Sequence, residues 1–178
     1  MTAASEAIAV RRARLEDAEG IARVQSECWR ATYAGLIPDT VLVRMTPKRQ
    51  ARLWRSYLRS GDMAGIIYVA CAPEGVVGFA SCGPEQTGRF PRSGEVYTLY
   101  VAESLHGRGL GRRLLRAMFG RLRRDGFPSA LIWVLDGNPA RYFYESLGGV
   151  LVAQRSSEQW GVAISESAYM WRSLSEFR

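Results

Sequence analysis

The densest chemistry in the sequence lies in His106-Gly107-Arg108-Gly109-Leu110-Gly111, a glycine-rich turn between an apolar strand-like run and an amphipathic helical one. At such a turn the first N–H groups of the helix lack intrahelical partners, and the positive end of the helix dipole adds to them. Together they form an anion site that suits a pyrophosphate. Gly107, Gly109 and Gly111 carry no Cβ, so the backbone can approach a phosphate closely and adopt φ values closed to other residues. Two known phosphate loops do not fit. A Walker A loop ends in Gly-Lys-Ser/Thr, whereas Gly111 is followed by Arg112 and Arg113. A dinucleotide fingerprint read from Gly107 needs its third glycine at Arg112 and an acidic residue about 20 positions on at a strand end, and neither is present. Taken alone, the motif reads equally well as a structural turn without a ligand.

The elements that must position this turn follow from hydrophobic period. Ile8 to Ala13 alternates as a strand, and Leu15, Ala18, Ile21, Ala22 and Val24 recur at helical spacing. Trp29 to Met45 reads as a loop or short helix, and a second helix is expected from Pro47 to about Leu58, with Gly61 as its stop. Ile66–Ala72 and Val76–Cys82 form a hairpin about Pro73-Glu74-Gly75, followed by a turn-rich loop from Gly83 to Gly94. Glu95–Val101 is a strand, and Leu110 to Arg124 carries Leu110, Leu114, Leu115, Met118 and Leu122 on one face with arginines opposite. Ala130–Leu135 is a buried strand, Pro139–Leu147 a helix ended by Gly148 and Gly149, and Val150–Ala153 with Val162–Trp171 a final strand pair. No repeat or linker interrupts the pattern, so one α+β domain over residues 1–178 is expected, with Met1 to Glu6 frayed.

Composition narrows the classes. With 178 residues, 47% hydrophobic and 11% aromatic, the chain can build a core and is not disordered, and no apolar run approaches the roughly 20 residues of a membrane helix. Three cysteines, Cys28, Cys71 and Cys82, with one histidine give neither a disulfide framework nor a zinc site, so no metal is expected. Arginines follow rather than precede the short apolar N-terminal patch, the wrong order for a secretory signal, and a cytoplasmic location is expected. The balance of 24 Lys+Arg against 17 Asp+Glu, +7 overall with Lys48 the single lysine, favours a polyanionic partner without choosing between nucleic acid, an acidic surface and a phosphorylated cofactor.

The glycine motif resembles the acetyl-CoA-binding signature of the GCN5-related N-acetyltransferase (GNAT) superfamily, Gln/Arg-x-x-Gly-x-Gly/Ala, with His106, Gly109 and Gly111 in its three defining places. Upstream, Glu95 precedes His106 by eleven residues, a spacing similar to that of the strand glutamate serving some members as general base. Downstream, Asn138-Pro-Ala-Arg-Tyr-Phe-Tyr-Glu-Ser-Leu-Gly-Gly149 is similar to the family segment Asn-x-Ala-x-x-Phe-Tyr-Glu-x-Leu-Gly, and Ile8–Ala18 and Trp29–Pro38 resemble the opening of bacterial members. His106 departs from the usual Gln or Arg.

The resemblance implies a GNAT-like mixed twisted sheet of six to seven strands flanked by about four helices, with acetyl-CoA wedged where two parallel strands part near Leu99 and Trp133. It implies transfer of an acetyl group to a primary amine of a small molecule or protein N-terminus by direct attack in a ternary complex. Glu95 would act as base, its pKa raised in a partly apolar cleft, and Tyr144 as general acid toward the thiolate. Cofactor contacts fall to Leu99, Tyr100 and Val101 along the strand, to His106, Gly107, Arg108, Gly109, Leu110, Gly111 and Arg112 in the turn, and to Asn138 and Arg141. Arg113 would join the phosphate contacts. Trp29, Tyr33 and Tyr97 would wall the acceptor site, and Val150 to Trp171 would form a homodimer interface. The rival class is a non-catalytic acyl-CoA-binding or nucleic-acid-binding module on the same fold. Glu95 and Tyr144 argue against the first; against the second, no aromatics interleave with Arg121, Arg123 and Arg124 as a stacking platform needs.

Overall fold

Strand-forming runs rich in Val, Ile, Tyr and Ala bury their apolar faces by pairing side by side. Seven of them form one mixed sheet in the order β1-β2-β3-β4-β5-β7-β6. In this computed structural model, which describes residues 8–60 and 65–177, they are β1 Ala9–Arg12, β2 Ile66–Ala72, β3 Gly75–Pro84, β4 Ser93–Val101, β5 Ser129–Leu135, β6 Val150–Gln159 and β7 Val162–Trp171. Met1–Glu6 and the stop at Gly61 lie outside the described residues. Neighbouring strands are antiparallel except β4 and β5. The helices among the described residues are five where about four were expected: α1 Ala18–Tyr33, α2 Asp39–Arg44, α3 Pro47–Ser60, α4 Leu110–Arg124 and α5 Ala140–Ser146.

Helix α4 covers one face of the sheet. Its apolar stripe, Leu110, Leu114, Leu115, Met118 and Leu122, packs with Phe119 against Val96, Ala130 and Ile132. Helices α1 and α3 cover the other face, where Ile21, Ala22 and Trp54 meet Val69 and Phe79.

Two elements run longer than their sequence pattern. Trp29 to Tyr33 form the last turns of α1, because no glycine or proline interrupts the chain before Gly35. Strand β6 continues past Ala153 to Gln159, although Gln154-Arg-Ser-Ser-Glu-Gln159 lacks apolar alternation, because it pairs residue by residue with β7 around a Trp160-Gly161 turn. Both turn residues have positive φ, 54° and 77°, the combination that a two-residue hairpin loop requires.

The register of β3 on β4 steps from Ser81↔Thr98 to Cys82↔Val96, leaving Tyr97 as the extra residue of a bulge. The bulge shifts the alternation, so Glu95 and Thr98 share a face although they are three apart, while Val96, Leu99 and Val101 face α4. Just beyond it, the parallel pairing ends. Ser93–Val96 pair with Ser129–Ile132, and from there Tyr97–Val101 and Trp133–Leu135 separate, at the expected position.

Burial also sets an alkaline limit on stability. It pushes the Cys82 thiol from 9.0 up to about 12 and Cys28 up to about 11, and it raises Tyr100 and Tyr144. Above pH 9 the unfolded chain releases protons that the folded chain retains, so stability falls as pH rises. Urea unfolding at pH 7.5 and 10.5 is expected to show a loss on the order of 1–2 kcal/mol from Cys82 alone, and Cys82→Ala should reduce the difference.

Candidate active site

Where β4 and β5 part, a cleft of about 690 Å³ opens, bounded by the two strands, the glycine turn, α5 and the end of α1. The free edge of β4 faces it. Ala102 N–H donates to Val77 O on β3 at 2.9 Å, whereas the Val101 carbonyl turns the other way and accepts from His106 Nε2 at 2.9 Å and the Cys28 thiol at 3.4 Å. Peptide groups alternate sides along a strand, so Leu99 turns its N–H and C=O to the same side as Val101, away from β3. The Leu99 N–H and C=O, with the Val101 N–H, form an edge able to pair with an extended amide-bearing chain, while the Val101 carbonyl is already engaged.

The turn before α4 takes the predicted form. Gly107 and Gly109 have φ of 73° and 75°, and Gly109 caps the helix. No described residue accepts a backbone hydrogen bond from the N–H groups of Gly107 through Gly111, and this row opens on the cleft at the positive end of a fifteen-residue helix. A pyrophosphate fits this donor set. Leu110 contributes only its N–H, since its side chain is buried under the sheet. Gly111 answers a packing demand: a Cβ there would lie 2.8 Å from the Phe143 ring on α5. Gly111→Ala is therefore expected to destabilise by about 1–3 kcal/mol and to weaken acetyl-CoA binding as α5 is pushed off the turn, measured by thermal melting and calorimetry.

The arginines near the turn stand outside the cleft lining. Arg113 does not face the turn; its Nη2 donates to Ile8 O at 2.6 Å and ties α4 to the residue that precedes β1. Arg108 and Arg112 are exposed and do not line the cleft, and Arg141 lies over its neighbour Tyr142, 4.6 Å from the ring centroid.

At the inner end of the cleft the aromatic side chains converge. Tyr144 is buried among Phe143, Tyr169 and Trp171, and its hydroxyl borders the cleft with no hydrogen bond to a described protein group. Burial, with the nearby Tyr33 oxygen, raises its pKa, so the phenol stays protonated. Asn138 is buried, accepts from Ala140 N–H at 2.9 Å and interacts with the Tyr33 hydroxyl, which also meets Tyr100. Trp29, expected as a wall, does not line the cleft; its indole N–H donates to Tyr100 Oη at 2.9 Å. Tyr97 does line it, with its hydroxyl donating to Pro84 O at 2.6 Å and burial pushing its pKa up to about 12.

Glu95 sits on the opposite face of the sheet from α4, beside Leu131, and is only 8% exposed. Burial raises its pKa, and Gln86 N–H, 3.0 Å from Oε2, offsets part of the rise. The carboxylate stands behind the cleft wall rather than in it. Sequence reasoning missed Gln86, hidden in a turn-rich loop, and the packing demand at Gly111, which is read there only for its phosphate role.

With this geometry in hand, comparison with known proteins is decisive at the level of class. A sequence profile described as the Acetyltransferase (GNAT) family matches residues 23–149. The chain is 34% identical over 172 residues, 96% of each protein, to YuaI, an uncharacterised N-acetyltransferase of Bacillus subtilis strain 168. Among solved structures, an N-acetyltransferase from Staphylococcus aureus Mu50 superposes with a TM-score of 0.71 at 17% identity, covering 94% of this chain and 98% of that one. PaiA N-acetyltransferase from Thermoplasma acidophilum, in complex with coenzyme A, gives 0.65 at 18% identity, covering 89% and 97%. The chain belongs to the GNAT family of acetyltransferases. Acyl-CoA-dependent acetyl transfer is that family's chemistry.

Proposed function

We propose that the protein transfers an acetyl group from acetyl-CoA to an amine of a small molecule or protein N-terminus by direct attack within a ternary complex. The observation that carries this reading is the unpartnered Tyr144 hydroxyl at the inner end of a cleft whose outer end is a row of free N–H donors. Acetyl-CoA supplies the activated acyl carbon and a thiolate leaving group. The N–H groups of Gly107, Gly109 and Gly111 hold the pyrophosphate, and the Leu99 peptide groups with the Val101 N–H pair with the pantetheine arm. As the C–N bond forms and the C–S bond breaks, Glu95 takes the amine proton and Tyr144 gives its own to sulfur. Because Glu95 stands behind the wall, the proton reaches it through a water. A cytosolic location belongs to the same reading.

Calorimetric titration with acetyl-CoA, with NAD and ATP as controls, tests the cofactor site. Saturable binding of acetyl-CoA alone is expected; absence of binding overturns the enzyme reading. The reading also includes a homodimer through the C-terminal strands. Strand β6 is the sheet edge, and Val150 and Leu151 are half exposed on it. Sedimentation is expected to give about twice the 19.8 kDa chain mass, and a monomer overturns the interface.

A further inference from the structure

We infer that Arg155 anchors the carboxylate of the acceptor, so that the acceptor is a small amine that also carries a carboxylate, as an α-amino acid does. The inference rests on the acetyl-transfer reading above.

The sheet face that carries Glu95 also carries Leu131 and Trp133 on β5, Ala168 and Glu166 on β7, and Arg155 on β6. Arg155 stands directly across from Glu166 in the register, and its Nε donates to Glu166 Oε2 at 2.7 Å. Its guanidinium then crosses β7 toward β5 and lies 4.1 Å from the ring centroid of Trp133. Fully buried Ala168, the β7 partner of Trp133, is small enough to leave that crossing open. The head group is thus fixed twice, by an ion pair along one edge and by an aromatic face beneath. Its two Nη groups make no hydrogen bond to any described residue. A planar fork held rigid with its terminal donors free is built to receive a carboxylate bidentately.

Trp133 ties this fork to the cleft. The same ring lines the cavity between β4 and β5. Its indole N–H is buried without a partner, a cost that a smaller aromatic would avoid, so here the ring serves by its face. Glu95 lies on the same face and feels the charges of both Arg155 and Glu166. An amine in the cleft that reaches Glu95 through a water, with its carboxylate on Arg155, therefore meets opposite charges at its two ends. Glu166 is the positioning residue for the fork.

The test is a thiol-release assay at saturating acetyl-CoA across amino acids and their carboxamides. Wild type is expected to favour the carboxylate member by about 10- to 100-fold in kcat/KM. Arg155→Gln should abolish that preference by raising KM for the carboxylate member alone, and Arg155→Lys should restore part of it. Should Arg155→Gln fail to fold, Arg155→Lys decides, since it keeps the charge and loses the fork. Equal use of acid and amide by wild type, an equal loss on both in the variants, or no turnover of any member overturns the inference. Acetyl-CoA titration of wild type and variant separates this from failure of the parent reading: binding without carboxylate preference sinks the anchor alone, and no binding sinks both.

Discussion

Replacing Tyr144 by Phe is expected to lower kcat about 100- to 10,000-fold while leaving acetyl-CoA affinity nearly unchanged. The hydroxyl has no partner among the described protein groups, so its removal orphans no donor or acceptor, and the ring keeps its contacts with Phe143, Tyr169 and Trp171. The melting temperature should therefore hold while turnover collapses, which separates an acid from a packed aromatic. Burial raises the phenol pKa, so the wild-type group is protonated and able to donate at neutral pH. Donors with a more acidic thiol need less help in leaving, and the loss in Tyr144→Phe should shrink with them. A variant that turns over at near wild-type rate would remove Tyr144 from the reaction.

Why the glycine turn and α4 are legible in sequence, and Arg155 is not, follows from where the information lies. Leu110 to Arg124 declares itself because a 3.6-residue period is local, and the bounds from pattern and from structure coincide. The parting of β4 and β5 was anticipated through the family resemblance, while the bulge at Tyr97 was not. Without the bulge, strict alternation sets Glu95 on the face of Leu99 and Val101 and so turns it toward α4; one extra residue sends it to the face of Trp133 and Arg155. That single shift separates the candidate base from the edge beside it, and nothing in Glu95-Val-Tyr-Thr-Leu99 marks it. Likewise, Gln154 to Gln159 is polar because one of its faces is solvated and the other carries Arg155, and only pairing with β7 makes it a strand. Trp29 reads as a wall by type, yet its N–H is used on Tyr100. Contacts between residues far apart in the chain decide these positions, and a period cannot encode them.

Glu95→Gln should act on rate and stability in opposite directions. Glutamine keeps an oxygen to accept from Gln86 N–H, so the local geometry survives while the proton acceptor is lost. A fall in kcat/KM of about 100-fold or more at neutral pH is expected. In wild type, kcat/KM should rise with pH through an apparent pKa above the ordinary carboxylate range, because burial raises Glu95 and only its ionised form accepts a proton. That acidic limb should vanish in the variant; a limb that persists unchanged belongs to another group and removes Glu95 as base. Stability follows the same raised pKa with the opposite sign. A carboxyl whose folded pKa is raised is fully accommodated below its unfolded value near 4.3 and loses that accommodation as pH climbs through the folded one. Glu95→Gln should consequently be more stable than wild type at pH 7, with the difference closing below about pH 4 in urea titrations. A variant that is both less active and more stable is the signature of a charge kept buried for chemistry, whereas a purely structural glutamate with the same burial would give the gain in stability without the loss of rate.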